Sequence, residues 1–174
     1  MAMANVHRFT TDEFLAIDGL PRRVELLDGV IYDMSPEGNA HAVAQAAILR
    51  ALIHALPDHE VLAGGSMRVT ESFCPIPDVA VYPRTAIGNT SAFDGRDALL
   101  IVEIGRFTAW NDRNRKLPAY ASGSVAEVWL VAPDASTLSC FRTPIDGDYA
   151  ELQELPWPEG LAEAVQSLTS RIDL

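Results

Sequence analysis

The segment that decides the fold reads Ala98-Leu-Leu-Ile-Val-Glu-Ile-Gly105. A short run of Leu, Ile and Val that ends at a glycine is typical of a strand buried on both faces of a sheet. Side chains alternate along a strand, so Leu99, Ile101 and Glu103 are expected on one face, with Glu103 near the carboxyl end. Sheet proteins commonly place their sites at that end. The sequence therefore predicts a central strand that carries an acid towards a site.

Glu103 is the most informative single residue of the chain. A carboxylate among Leu, Ile and Val loses hydration worth roughly several kcal/mol unless it is paired, protonated or bound to a cation. One interpretation is that Glu103 binds a metal ion. The other is a buried ion pair with an arginine, for which Arg68 and Arg106 are the candidates.

The segments on either side of this strand alternate between short strands and helices. Before it, we expect a short helix from Thr10 or Thr11 to Leu15, hairpin strands at 24–27 and 30–34 around Asp28-Gly29, a helix over 39–56, a strand over 60–70 interrupted at Gly64-Gly65, and a strand over 79–82. After it, we expect a helix over 111–122 that ends at Gly123, strands at 128–131, 138–142 and 149–155, and a helix over 161–172. Together they predict an α/β fold of the mixed α+β kind, in which helices flank a central mixed sheet and a hairpin precedes it.

The helix over 39–56 has the clearest pattern, and Pro57 follows it. Apolar side chains recur along it at three- to four-residue spacing, which is typical of a helix. They are Val43, Ala47, Leu49, Ile53 and Leu56.

Length and composition indicate one globular domain over residues 1–174. Hydrophobic residues make up 48% and charged residues 21% of the chain, and no apolar run approaches the length needed to cross a bilayer. The first ten residues, MAMANVHRFT, have no secretory pattern, so a cytosolic location is expected. Cys74 and Cys140 are isolated, which fits a reducing compartment and argues against structural zinc.

The formal net charge of -11 is unfavourable for a protein that binds nucleic acid. Phosphate binding depends on lysines and arginines, so a basic surface would have to be local. Segment 106–116 is the candidate, because its four cations are opposed by a single acid, Asp112. The cations are Arg106, Arg113, Arg115 and Lys116.

Asp78 follows Pro77 and opens another apolar strand. On its own, a Pro-Asp pair indicates no more than a routine turn or the start of a strand. With Glu103 on a neighbouring strand, however, Asp78 would supply the second carboxylate of a Mg²⁺ site, since Mg²⁺ usually takes one or two protein carboxylates.

Asp112 and Lys116 are four residues apart on a predicted helix. This spacing is typical of a surface salt bridge. Alternatively, Lys116 reaches from the helix that follows the Glu103 strand towards an attacking water or a phosphate, where its charge would stabilise the transition state. The residues themselves leave both interpretations open.

Several short motifs occur in an order that resembles one known family, the Uma-two family of putative restriction endonucleases, within the PD-(D/E)XK nuclease superfamily. The resemblance covers residues 13–142 approximately. The motifs are Glu25-Leu-Leu-Asp-Gly-Val-Ile-Tyr32, His41 on the next helix, Pro77-Asp78-Val-Ala-Val81, Leu100-Ile-Val-Glu103-Ile104, Asp112-x-x-x-Lys116-x-x-x-Tyr120 and Val128-Trp129-Leu-Val131.

The resemblance implies a restriction-endonuclease-like fold and a role for each site residue. Asp78, Glu103 and the backbone carbonyl of Ile104 would bind Mg²⁺ or Mn²⁺. Lys116 would replace the lysine that the superfamily usually has two positions after the glutamate, where this chain has Gly105. The remaining positions that match the family and are expected to line the site are Glu25, His41 and Asp112.

The implied activity is metal-dependent hydrolysis of DNA phosphodiester bonds, by a homodimer if both strands of a duplex are cut. The loop after Glu103 departs from the family, and its Phe107 and Trp110 either stack on bases or pack on a partner subunit. Together with the negative net charge, this departure leaves two alternatives. One is a nuclease fold kept as a binding or regulatory module, and the other is a hydrolase of small phosphoesters.

Overall fold

A computed structural model describes residues 7–21, 23–34, 36–88, 90–105 and 112–172, and of residues 112 and 113 only the backbone. The helices are α1 (Thr11–Leu15), α2 (Asn39–Ala55), α3 (Leu117–Ser122) and α4 (Leu161–Ile172). The strands are β1 (Val24–Leu27), β2 (Val30–Asp33), β3 (His59–Leu62), β4 (Met67–Arg68), β5 (Val79–Pro83), β6 (Phe93–Asp94), β7 (Leu100–Ile104), β8 (Glu127–Ala132), β9 (Thr137–Ile145) and β10 (Asp148–Pro156). No helix in these ranges is both long and apolar enough to cross a membrane.

Six strands form the central sheet, in the order β10-β9-β8-β7-β5-β3. The β7–β8 pair is parallel, and the other four pairs are antiparallel. One face packs against α2 and α4, and the other face packs against α3. This is the mixed sheet flanked by helices that the sequence predicts, and β7 lies inside it.

The two faces of β7 belong to different hydrophobic clusters. Leu100, Val102 and Ile104 pack on the side of α2 and α4, whereas Ile101 packs on the side of α3. Glu103 therefore faces α3 with Ile101, as expected from strand alternation. Leu99 was wrongly expected on that face. It precedes the strand, where alternation does not apply, and it packs against the other cluster.

The helix α2 forms where it is predicted, and three of the five apolar side chains of its pattern pack against the core, namely Ala47, Leu49 and Leu56. Ala44, Ile48 and Leu52 are buried, four residues apart, against the sheet. Val43 and Ile53 are 70% and 56% exposed. This row of side chains packs in one cluster with Val79 and Val81 of β5 and with Val102 of β7.

The hairpin of β1 and β2 turns at Asp28-Gly29, as predicted. Both residues have left-handed backbone angles, with φ of 51° and 75°, which is the geometry of the tight two-residue turn that fits strand twist. A Cβ at position 29 would lie 2.7 Å from Cβ of Arg8, so glycine is also required by space. The hairpin is attached to the rest of the fold through backbone hydrogen bonds between Leu26 and Cys74 in both directions.

The predicted strand over 60–70 is divided into two. β3 ends before Gly64 and Gly65, whose φ angles of 73° and 98° turn the chain away from the sheet. β4 then pairs with β6 in a separate parallel ladder. The interruption predicted at the two glycines is thus the end of strand β3.

The predicted helix over 111–122 is described from residue 112 onwards. A π-helical turn, Asp112–Lys116, leads into α3. Pro118 lies in the first turn of α3, directly after this π-helical turn. Gly123 follows the helix as predicted, but the reason is space, because a Cβ there would lie 2.8 Å from the carbonyl oxygen of Val69.

A buried charge cluster lies at the amino end of β8. Glu127 is 4% exposed and accepts a hydrogen bond of 2.6 Å from the indole N–H of Trp129. Its carboxylate also forms an ion pair with Arg171 of α4, and Nε of Arg142 lies 3.9 Å away. The cluster therefore links α4 to the sheet.

We expect Glu127→Ala to destabilise the protein by about 3 kcal/mol, because it leaves buried donors without their acceptor. Urea unfolding followed by circular dichroism measures this change. Glu154→Ala, which removes an exposed acid from β10, is the matched control and should change the free energy of unfolding by under about 0.5 kcal/mol. Equal effects of the two substitutions would contradict the structural role of Glu127.

Candidate active site

Four charged side chains are buried together on the face of the sheet that carries Glu103. Glu25, Asp78, Glu103 and Lys116 are between 5% and 8% exposed. They come from the hairpin, the start of β5, β7 and the turn before α3. Charged groups this deeply buried need partners, and here each one is near another.

Lys116 lies between two carboxylates. Its ammonium group donates to Oε1 of Glu25 at 2.8 Å and to the two oxygens of Glu103 at 3.2 and 3.3 Å. Tyr120, one helical turn later, donates its hydroxyl hydrogen to the Glu103 carboxylate. Both oxygens of Glu103 are thus engaged by groups from one side of a single helix.

Local structure explains how these side chains meet. The π-helical turn and α3 carry Lys116 and Tyr120 at a spacing of four residues, which places both on the face that packs on β7. Glu25 is held on the opposite side of Lys116 because its Oε1 also accepts a hydrogen bond of 2.8 Å from the backbone N–H of Ile76. The lysine is therefore fixed from two directions.

Asp78 is positioned by β7 and α2. The register pairs Val79 with Val102, and extending it by one residue sets Asp78 opposite Glu103. One oxygen of Asp78, Oδ2, accepts a hydrogen bond of 2.6 Å from the backbone N–H of Ile104. The other, Oδ1, lies 3.0 Å from Nε2 of His41.

His41 lies between two acids, Asp78 and Glu37. Its Nδ1 is 3.2 Å from Glu37, although this contact is not aligned as a hydrogen bond, and Glu37 also pairs with Arg23. The hydrogen bond to Asp78 is the main reason why the pKa of His41 is raised, and the negative charges of Asp78 and Glu37 act in the same direction. Burial and the charge of Arg23 oppose the rise in pKa.

These groups line one cleft of about 350 Å³. Its charged and polar lining includes Asp78, Glu103 and Lys116, the three predicted catalytic residues. Glu25 and His41, predicted to line the site, are there too, and Ile104 forms part of the wall. The structure thus brings together every predicted site residue whose side chain it describes, whereas the side chain of Asp112 lies outside the described residues.

Arg68 was one of the two arginines expected to pair with Glu103. That expectation is wrong, because Arg68 pairs with Asp12 at 2.7 Å. Arg106, the other candidate, lies outside the described residues, as do Phe107 and Trp110. Lys116 is buried, so its interpretation as half of a surface salt bridge is also wrong. Its position in the turn before α3, turned towards the sheet, is what buries it.

The predicted basic surface of segment 106–116 can be assessed for Arg115 and Lys116. Arg115 pairs with Asp28 at 2.8 Å and stacks on the ring of Tyr32 at 5.2 Å, while Lys116 is held by the buried carboxylates. Both cations are therefore bound to acids of the same chain.

Sequence reasoning missed two residues of this cluster, Glu37 and Tyr120, as site residues. Tyr120 was noted only as part of a motif. Each lies four positions from a predicted site residue, in Glu37-x-x-x-His41 and Lys116-x-x-x-Tyr120. For Tyr120 that spacing was the available signal, because it places two side chains on one face of a helix. Glu37 lies before α2, so the spacing gave no such signal for it.

We expect Lys116→Met to lower the free energy of unfolding by about 3 kcal/mol, because Glu25 and Glu103 then remain buried without their shared cation. The double variant Lys116→Met/Glu103→Gln should recover part of this loss, since one of the two unpaired charges is gone. Urea unfolding of the single and double variants gives the coupling energy.

Arg96→Met is the matched control, because Arg96 pairs with Asp94 on the surface with 74% of its side chain exposed. It should cost under about 1 kcal/mol. Additive effects of Lys116→Met and Glu103→Gln would show that the buried pair is not energetically coupled.

Comparisons with known proteins agree with this fold. A crystal structure of a putative nuclease belonging to DUF820, from Anabaena variabilis, superimposes with a TM-score of 0.67 over 93% of this chain and 98% of that chain, at 16% sequence identity. At this identity the likeness shows a shared fold. No curated protein matches the chain.

The family comparison extends over almost all of the chain. The model of the Uma2 family, described as "Putative restriction endonuclease", matches residues 11–171, a range that contains the whole candidate active site. The Uma-two resemblance that the motifs carry is confirmed by this match. The chain belongs to the Uma2 family of putative restriction endonucleases.

Proposed function

We propose that this protein is a metal-dependent endonuclease that hydrolyses phosphodiester bonds of DNA. One observation carries the proposal: acids from two neighbouring strands, Asp78 and Glu103, lie opposite each other in a cleft, with the ammonium group of Lys116 at 3.2 Å from Glu103. Membership of a family of putative restriction endonucleases supports the reaction class.

The donor atoms suit Mg²⁺ or Mn²⁺. Asp78, Glu103 and the backbone carbonyl of Ile104 are oxygen donors, and hard divalent cations prefer such ligands and complete their shell with water and phosphate. Asp78 is held by the N–H of Ile104, so its carboxylate is oriented before a ligand arrives. A metal ion bound there would orient the scissile phosphate and activate the attacking water.

Lys116 and its neighbours supply the rest of the proposed mechanism. As negative charge develops on the phosphate oxygens, an ammonium group fixed beside them stabilises the transition state without reorganising. Glu25 holds that group in place, and Tyr120 orients Glu103. Cleavage of a duplex would use two copies of the site, so the proposal includes a homodimer.

We expect the purified protein to cleave DNA in the presence of Mg²⁺ or Mn²⁺ and to lose activity with EDTA. Asp78→Asn and Glu103→Gln should each lower the cleavage rate by at least about a hundredfold, because each removes a charge that would hold the metal ion. Lys116→Met should lower it by a similar factor, because it removes the charge that stabilises the reacting phosphate. Cleavage of supercoiled plasmid and of labelled oligonucleotides measures these rates.

Glu154→Gln is the matched control for these substitutions, since it removes an acid of the same chain far from the cleft lining. It should retain the rate of the unchanged protein. If varied DNAs are not cut with either ion, or if the three site variants cut as fast as the control, the proposed function is wrong.

A binding or regulatory module is the second candidate, and the pairing of Glu103 favours it. Glu103 already receives hydrogen bonds from Lys116 and Tyr120, so it is satisfied without a metal ion. This candidate predicts DNA retention on a filter or gel without cleavage.

Hydrolysis of small phosphoesters is a third candidate function, which the net charge of -11 and the small cleft favour. A screen of such compounds tests it.

A further inference from the structure

A second group of potential metal ligands lies beside the proposed catalytic acids. Glu37, His41 and Asp78 each offer one ligand atom, and these atoms lie within 4.8 Å of one another. Among the described residues, this is the one group of three or more His, Cys, Asp and Glu side chains with such spacing. Glu103 is not a member of it.

The geometry of the group resembles a site built for an ion. Nε2 of His41 and Oδ1 of Asp78 are 3.0 Å apart. Two ligands at right angles on an octahedral metal ion are separated by about 3 Å when each bond is about 2.1 Å long. The other oxygen of Asp78 is fixed by the N–H of Ile104, as is common for carboxylates that bind metals.

The group is also accessible. Glu37 lines three clefts: the active-site cleft of about 350 Å³ and two others of about 370 Å³ each. Asp78 lines two of these clefts, and so does His41. The clefts meet at the three side chains, so an ion has a path to them and water has room to complete its coordination.

Charge favours a cation at this place. The amino end of α2, where His41 lies in the first turn, carries a partial positive charge of about half an elementary charge, which disfavours a bound cation. Two carboxylates outweigh that charge. Arg23, which pairs with Glu37, has 53% of its side chain exposed and is free to turn into solvent when an ion binds.

We propose that Glu37, His41 and Asp78 form a second divalent-metal site that takes a transition-metal ion such as Mn²⁺, Co²⁺ or Zn²⁺. An imidazole nitrogen suits these ions and is a poor ligand for Mg²⁺, which distinguishes this site from the all-oxygen set of Asp78, Glu103 and Ile104. Asp78 joins the two, with Oδ1 towards His41 and Oδ2 towards β7. The site shares a residue with the proposed function but does not depend on cleavage of DNA.

The test is Co²⁺ and Mn²⁺ binding to the full chain. Titration calorimetry and the visible spectrum of Co²⁺ measure affinity, and electron spin-echo spectroscopy of bound Mn²⁺ detects an imidazole nitrogen on the ion. His41→Gln should remove the nitrogen signal and weaken Co²⁺ binding at least tenfold, and Glu37→Gln should weaken it at least tenfold. Circular dichroism checks that both variants are folded.

Two controls separate this site from its surroundings. His54→Gln removes the exposed histidine of the same helix and should leave affinity and nitrogen signal unchanged. Glu103→Gln should leave the nitrogen signal in place even though it disables the proposed nuclease site. Loss of the signal in Glu103→Gln, its persistence in His41→Gln, or no binding of either ion to the unchanged protein would each overturn the proposal. A bound ion with that signal in a protein that does not cut DNA would refute the proposed function alone.

Discussion

The contact of Lys116 with Glu103 and Glu25 is the interaction on which the site depends. It joins the hairpin, the central strand β7 and the turn before α3, which are separate elements of the chain. A carboxylate on the central strand costs several kcal/mol to bury without a partner, and the lysine offsets that cost only because its position is fixed. Apolar residues of similar size would often be as stable at such positions. Their replacement by charges is therefore better explained by the chemistry of the site than by stability.

Local patterns predicted most of the fold. The buried strand β7, the Asp28-Gly29 turn and the helices each depend on neighbouring residues, so periodicity and turn chemistry were sufficient to find them. The buried face of α2 was not predictable in this way. Val43 is more apolar than Ala44, yet Ala44 is buried and Val43 is exposed, because the position of the sheet relative to the helix decides which side chains are covered.

The sequence predicted which residues belong to the candidate site, but it did not predict which of them pair with one another. Burial of an acid in β7 indicated that Glu103 needs a partner. The sequence contains 13 lysines and arginines, however, and does not show which of them pairs with Glu103. Glu25 and Lys116 are 91 positions apart in the sequence, and their pairing depends on where the hairpin packs. Glu37 was missed because an acid before a helix is ordinary. Its proximity to His41 and Asp78 is what distinguishes it, and that proximity is set by the fold.

Asp78 connects these observations, because each of its oxygens has a different neighbour. Through Oδ2 it is held by the backbone of β7, and through Oδ1 it meets the imidazole of α2. An excess of acids surrounds it in a chain of net charge -11, which repels a polyanion and attracts divalent cations. The proposed function requires the site to bind both a cation and the DNA polyanion, so the cation must bind first. The phosphate would then meet a site whose negative charge is reduced, so metal binding would control substrate binding as well as catalysis.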